Sequence, residues 1–378
     1  LTPAFDFGLR VDQDRPPAGA IRDTVLGFLS PRLGLASGTS RYRLQASAGG
    51  LFGYAPQPAL PDGELRARTF DLMSDHASLR AATAWSSFDS LSLGGRYLRS
   101  HDPVDLGAWS APTLDDVVAW EAWGRGSTRQ LEGAYRIRDW LYPAEGEKHA
   151  RAIIWSASVL PVRHRDDAWL VGWRERRLGL EGVASVISQA AVVGYRRRVS
   201  PSLWLALEAG GADVRYGGGT RERRPTAGVE LSDADAEPGI LTPRVHIWQD
   251  VAVNVTAEAG HRLGNGRVSM RWTSLADVQG EFDRDPTFLR EVVVVAQDTV
   301  ARATLVALEA SYGRTRPFRV VAPQVEVVRV SGWLARRIRP WLTSRAGCSF
   351  LQQSGVGSSG IRVLRRIRWE VACAAHAR

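Results

Sequence analysis

Arginine is the residue whose number and spacing point to chemistry in this chain. Of 49 basic residues only Lys148 is a lysine, and the formal net charge is +9. The arginines run along the whole sequence, often at every second position, as in Arg136-Ile137-Arg138 and Arg366-Ile367-Arg368. A genome rich in G and C explains part of the lysine deficit, but not the spacing. A guanidinium is permanently charged and presents a planar fork of donors that grips carboxylate, sulfate or phosphate with two bonds. Positions two apart on a strand share a face. The arginines that fall on one such face are Arg43, Arg96, Arg136, Arg138, Arg174, Arg176, Arg196, Arg267, Arg271, Arg345, Arg366 and Arg368, with Glu132, Glu258, Glu309 and Glu370 among them. Two readings stay open. The guanidinium groups concentrate anions, or they pair with the acids across neighbouring strands and stiffen a wall.

Other chemistry is poorly represented. No Gly-x-Ser-x-Gly elbow, phosphate-binding loop or His-Glu-x-x-His zinc signature occurs, and the seven histidines lack metal-ligand spacing. Gly217-Gly218-Gly219 has no phosphate-binding lysine after it, and His164-Arg165-Asp166-Asp167 reads as a turn between strands. Ser100 and His101 are adjacent and so point to opposite faces of a strand. Ser74 and His76 share a face but lie about 7 Å apart. The expectation is no enzyme, no cofactor and no metal, with a lipid-modifying Ser/His pair as the outside alternative. Cys348 and Cys373 fall on apolar faces, either as a cross-strand disulfide or, the favoured reading, as two small hydrophobes. A nucleic-acid binder would cluster its basic residues and mix lysine with arginine, so nucleic acid is not an expected partner.

The elements that must carry these side chains follow from periodicity. Helical spacing fits poorly, whereas period two recurs. Leu91, Leu93 and Tyr97 alternate with Ser90, Ser92 and Arg96; Leu131, Tyr135 and Ile137 with Glu132, Arg136 and Arg138. Val268, Met270 and Trp272 alternate with Arg267, Ser269, Arg271 and Thr273, and Ile367, Trp369, Val371 and Cys373 with Arg366, Arg368 and Glu370. Mean hydropathy is slightly negative, and no run approaches the roughly 18 apolar residues of a membrane helix. Soluble sandwiches alternate too, but three features favour a barrel in a membrane. Strands run about 10–15 residues against roughly 5–6 in soluble proteins. Aromatic residues mark the ends of apolar faces, at Tyr42, Trp85, Tyr97, Trp120, Tyr135, Trp155, Trp169, Tyr195, Trp204, Trp272, Tyr312 and Trp369. The polar face is too charged for a packed interior and the apolar face too continuous for solvent. Lipid outside and water inside satisfy both.

Turn signals set the rhythm. Tight turns are expected at 37–39, 198–201, 263–266 and 337–340, with Asn265-Gly266 the strongest hairpin signal. Longer loops are expected over 55–64, 101–114, 216–223, 232–240 and 277–287. At about 20–24 residues per strand with its connection, the chain forms a closed antiparallel transmembrane β-barrel of roughly 16–18 strands. Residues 1–378 read as one such domain, and a barrel of this size encloses water rather than packed side chains.

The N-terminal layout is distinctive: Phe5-Asp6-Phe7-Gly8-Leu9, then Thr24 to Leu35 with Pro31 inside an alternating strand, then Arg41 to Tyr54. This order resembles the outer-membrane β-barrel proteins that accompany exopolysaccharide-secretion and exosortase gene clusters in Gram-negative bacteria. The resemblance implies a passive export conduit for a polymer made inside the cell, and it transfers no individual residue role. One departure is that the last aromatic residue is Trp369, whereas such barrels commonly end on one. The absence of an initial methionine fits a mature exported protein or a trimmed chain.

The expectation is therefore an outer-membrane channel or export conduit with an arginine-rich, anion-preferring lumen. Its partners would be outer-membrane lipid, an anionic polysaccharide or small anions, and periplasmic export or envelope-complex proteins. The alternative is a structural barrel with a plugged lumen that anchors an envelope-spanning complex.

Overall fold

The computed structural model describes residues 2–15, 22–39, 41–54, 71–86, 89–100, 117–142, 148–180, 185–200, 203–233, 244–249, 253–263, 265–277, 287–301, 303–317, 325–357 and 360–376. They form twenty strands: β1 (Thr2–Arg15), β2 (Arg22–Gly38), β3 (Tyr42–Tyr54), β4 (Asp71–Ala84), β5 (Ser90–Ser100), β6 (Val117–Ser127), β7 (Leu131–Tyr142), β8 (Lys148–Arg163), β9 (Asp167–Leu180) and β10 (Ser185–Arg198) in the first half. The second half holds β11 (Leu203–Tyr216), β12 (Arg221–Asp233), β13 (Arg244–Gln249), β14 (Val253–Leu263), β15 (Gly266–Asp277), β16 (Thr287–Ala301), β17 (Thr304–Pro317), β18 (Val325–Arg339), β19 (Leu342–Gly357) and β20 (Gly360–His376).

Each strand pairs antiparallel with its sequence neighbours, and β20 returns to β1 in a register that sets Phe7 opposite Cys373. The pairings of the described strands thus run round in a ring, the arrangement that lets a sheet cross a bilayer.

Twenty strands exceed the 16–18 expected. The turns at one rim are shorter than the sequence rhythm suggested, and 378 residues over twenty strands leave about 19 for each strand with its connection. The stretch 216–223, expected as a long loop, is instead the end of β11, a four-residue turn and the start of β12, with Gly219 at φ 82°. The hairpin at 263–266 closes on a Leu263–Gly266 pair, so Gly266 is the first residue of β15 rather than part of the turn. Of the other long loops expected, 55–64 and 101–114 lie outside the described residues, as do 234–240 of the stretch 232–240 and 278–286 of the stretch 277–287.

Three prolines sit well inside strands, away from their ends, without breaking the ring. β1 pairs with β2 unbroken through Pro31, but the β2–β3 pairing lapses at Ser30 and Pro31, on the side where proline has no N–H to offer. Pro161 lies in a bulge of the β8–β9 pair between Val159 and Val162. Pro225 pairs with Gly211 of β11, and among the described residues β13 joins β12 from Gly228 to Leu231.

Register assigns every strand two faces. One carries exposed apolar side chains such as Phe5, Phe7, Leu9, Leu93, Leu131, Val171, Val193, Leu308 and Val371. The other must be concave, because its side chains contact one another across strands that are not neighbours: Arg196 of β10 meets Glu132 of β7, and Arg174 of β9 meets Glu208 of β11. The aromatic residues expected on the apolar face lie there with one correction. Trp204 precedes Leu205 on the interior parity of β11 and lines an inner cavity. Trp173, unassigned from sequence, lies outside beside Val171.

The interior is not wholly polar, contrary to expectation. Leu160, Ala168, Leu170, Val186, Ala190, Val192, Ala212 and Val214 form a buried apolar patch on the inner wall of β8–β11. Charged side chains bridge over it. The Arg174–Glu208 pair joins β9 to β11 and so passes over β10, whose inner positions there are Ala190, Val192 and Gly194. A Cβ on Gly194 would lie 2.9 Å from Glu208 Cγ and 3.0 Å from Leu170 Cγ, so the missing side chain makes room for the bridge.

Candidate functional site

The inner wall is where the charged side chains gather, and alternation puts them there. Leu131, Tyr135 and Ile137 need lipid, so Glu132, Arg136 and Arg138 must face inward. The same reasoning on each strand brings all twelve arginines named above to the concave face. The structure also reveals how they are held.

The first cluster is a carboxylate hub. Glu121 of β6, with its side chain 4% exposed, accepts Arg96 of β5 at 2.6 Å, pairs with Arg136 of β7, and lies 3.8 Å from Arg138. Register sets it between Arg96 and Arg138 as direct cross-strand partners. A second hub is Glu132, which takes Arg196 Nη1 at 3.2 Å and Nη2 at 3.2 Å as a fork, and Arg163 at 3.5 Å. A third lies where β20 closes onto β1. Asp12 accepts Arg10 at 2.7 Å and Arg368 at 2.8 Å, Arg345 pairs with Glu370, and Arg32 pairs with Asp6.

The remaining expected arginines lie outside these hubs. Arg176 is buried and donates to Asn254 of β14 at 3.3 Å. Arg271 stands opposite Glu258 in register, with Arg267 farther along β15. Arg366 is buried on β20, and Arg43 sits exposed near the β2–β3 turn.

Sequence reasoning missed several members of this wall. Arg10, Arg32, Arg125, Arg163 and Glu121 are all interior, and Glu121 is the best buried of the hub acids. The signal for Glu121 was the alternation of Trp120 and Ala122 on the opposite face. The signal for Arg163 was absent, because the bulge at Pro161 shifts the parity of β8.

Toward the short-turn rim the inner wall opens into a cavity of about 680 Å³. Arg125, Arg163, Arg174, Arg196, Glu132, Glu208, Glu230 and Trp204 line it. Most of its arginines are already tied to carboxylates, so it presents fixed, alternating charge rather than a uniformly basic surface. Such a lining offers charged and polar positions beside one aromatic wall, Trp204.

Comparison with known proteins finds distant structural likeness only. No protein-family model matches, and no curated protein matches. The chain is similar in structure to Pseudomonas aeruginosa OpdL, at 10% identity over 100% of this chain and 98% of that one, with a TM-score of 0.40. P. aeruginosa OpdK with vanillate gives 12% identity, 99% coverage of both chains and a TM-score of 0.39. A bacterial polysaccharide outer-membrane secretin gives 10% identity, 100% and 99% coverage and a TM-score of 0.28. Similarity this distant carries no inference about substrate.

Location follows from the barrel itself. A closed ring with exposed leucine, valine, phenylalanine and tryptophan around its outside is insoluble unless lipid covers it. The protein is an outer-membrane β-barrel.

Proposed function

We propose that this barrel is a channel or export conduit with an anion-preferring lumen, and that an acidic exopolysaccharide is its polymeric passenger. The observation that supports this reading is the inner wall: arginines outnumber carboxylates on the described concave face, and many remain half-exposed even where they are paired. Residual positive potential in a water-filled bore raises the local anion concentration, while guanidinium forks offer graded, exchangeable contacts to a carboxylated polymer. The resemblance of the N-terminal strands to secretion-cluster barrels agrees with a polymeric passenger. The test is the reversal potential of the purified barrel in a planar bilayer under a KCl gradient. Chloride preference is expected, and cation preference rejects the anion reading.

A second reading has its own support. The apolar patch on β8–β11 and the Arg176–Asn254 contact both narrow the bore. A barrel plugged in this way would serve as an envelope anchor. Absence of any conductance in the same bilayer experiment favours the anchor.

A further inference from the structure

The outer face carries a second set of arginines that the lumen does not use. Across β9–β12, register places Trp169, Tyr195, Leu207 and Val229 in one outward row, then Val171, Val193, Ala209 and Ala227, then Trp173, Ala191, Gly211 and Pro225. Toward the other rim the chemistry changes abruptly. The next row is Glu175, Gln189, Asp213 and Arg223, and the one beyond is Arg177, Ile187, Arg215 and Arg221. This polar step borders the apolar band directly.

The acids in these rows hold the arginines. Glu175 pairs with Arg177 and accepts Gln189 Nε2 at 2.9 Å, while Asp213 accepts Arg215 Nε at 3.1 Å and Arg221 Nε at 2.6 Å. The acid side chains are 5% and 20% exposed, whereas those of Arg177, Arg215 and Arg221 are 55%, 53% and 54% exposed. Each guanidinium is gripped through its Nε–H, which leaves the two terminal amino groups presented at the surface.

This is the rim of the longer connections, including those from Tyr54 to Asp71 and from Ser100 to Val117, while both chain ends lie at the other rim. Long connections mark the cell exterior in outer-membrane barrels. The same border continues around the ring through Arg290 and Arg314, and through Arg365, which donates to Gln352 at 3.1 Å. Toward the short-turn rim, outward strand positions carry fewer arginines, such as Arg197 and Arg336.

We infer that this outward arginine collar, densest at Arg177, Arg215, Arg221 and Arg223, binds the phosphorylated glycolipid of the outer leaflet. The inference rests on the outer-membrane placement and is independent of what passes through the lumen. Acyl chains lie on the valine and tryptophan rows below. Phosphates on the sugar headgroup meet the terminal amino groups above, in pairs of bonds that a lysine would not supply. Pre-organised guanidinium groups lose little side-chain freedom on binding. Charge here costs little, because it borders the interface rather than the bilayer midplane.

The experiment uses the full-length barrel in detergent and reads bound lipid by native mass spectrometry. The probes are diphosphoryl lipid A, its dephosphorylated form, and phosphatidylglycerol at equal concentration. Retention of the diphosphoryl form at least tenfold above the other two is expected. The Arg177→Gln/Arg215→Gln/Arg221→Gln/Arg223→Gln variant should lose that preference, and Arg197→Gln/Arg336→Gln should keep it. Equal retention of phosphatidylglycerol by the wild type overturns the proposal, as does an unchanged preference in the quadruple variant. The wild-type comparison needs no variant, so it decides the matter even if the quadruple variant fails to fold. A protein that leaves the membrane fraction without detergent would instead refute the outer-membrane placement itself.

Discussion

The Arg176 guanidinium donates to Oδ1 of Asn254 at 3.3 Å, tying β9 to β14 although β10 to β13 separate them along the wall. Asn254 is fully buried and Arg176 nearly so. A contact between strands so far apart projects into the bore and constricts it there. Replacing Asn254 by Ala removes a hydrogen bond to a charged donor, worth about 1.5–3 kcal/mol. The expected outcome is a lower thermal midpoint together with higher single-channel conductance. Conductance that stays at the wild-type value would show that the constriction lies elsewhere.

Glu121 binds its surroundings in a different way. It faces Arg96, Arg136 and Arg138 at once and is the most buried acid of the inner hubs. Glu121→Gln keeps the side chain's shape but leaves the positive charge of three arginines uncompensated. The reversal potential under a KCl gradient should move further toward the chloride limit. Arg96→Gln should move it the other way, by less, because Arg96 is 60% exposed and already screened by solvent. The two variants moving the potential in the same direction would exclude a role for this hub in selectivity.

How far the sequence alone reaches is visible in these same residues. Arg136 and Arg138 could be oriented from Leu131, Tyr135 and Ile137, because a period of two couples each side chain to its neighbours with no tertiary information. The partner of Arg196 could not, since Glu132 lies 64 residues away and three strands distant, and meets it only because the wall is curved. Trp204 was misplaced for a chemical reason: an indole is at home both at a lipid interface and beside a polar cavity. Arg163 escaped because the bulge at Pro161 moves it to the opposite parity. The apolar patch on β8–β11 escaped because Ala and Val beside Arg and Glu read as ordinary wall positions until bridging pairs such as Arg174–Glu208 cover them. Strand number was underestimated because turn length, unlike facing, leaves little trace in hydrophobic pattern.

Gly94 and Trp123 give a packing prediction. The two are direct cross-strand partners on the inner face, and a Cβ on Gly94 would lie 2.3 Å from Trp123 Cζ2. The indole therefore lies over the glycine and covers its bare backbone, a pairing of aromatic and glycine that strengthens sheets. Gly94→Val forces the ring off, at about 1–3 kcal/mol for overpacking. A lower thermal midpoint and quenching of Trp123 fluorescence by iodide added to the lumen are expected. Unchanged quenching would mean that the ring has not moved.

Cys348 and Cys373 both lie on the outer face and are free thiols. Cys348 is registered with Trp369, while Cys373 is registered with Ser344. Four residues along β20 correspond to about 13 Å, well beyond the roughly 7 Å limit for a disulfide between Cα atoms. Two titratable thiols are expected in protein denatured without reductant. A count of none would require β19 to slip by four residues against β20.

The closure of the ring provides the sharpest stability test. Asp12 of β1 accepts Arg368 of β20 at 2.8 Å and Arg10 at 2.7 Å, with side-chain exposures of 17% for Arg368 and 11% for Asp12. Asp12→Ala removes the carboxylate shared by two guanidinium groups at the junction of the first and last strands, and breaking a buried ion pair costs about 3–5 kcal/mol. Arg345 pairs with Glu370 only two residues farther along β20, but its side chain is 43% exposed. Its replacement by Ala should cost under about 1 kcal/mol, as exposed pairs do. The heat-dependent gel shift of the folded barrel should thus fall to a clearly lower temperature in Asp12→Ala and hardly move in Arg345→Ala. Equal shifts would mean that the backbone ladder from Ala4 to Arg15 holds the seam unaided, and that Asp12 serves the lumen rather than the closure.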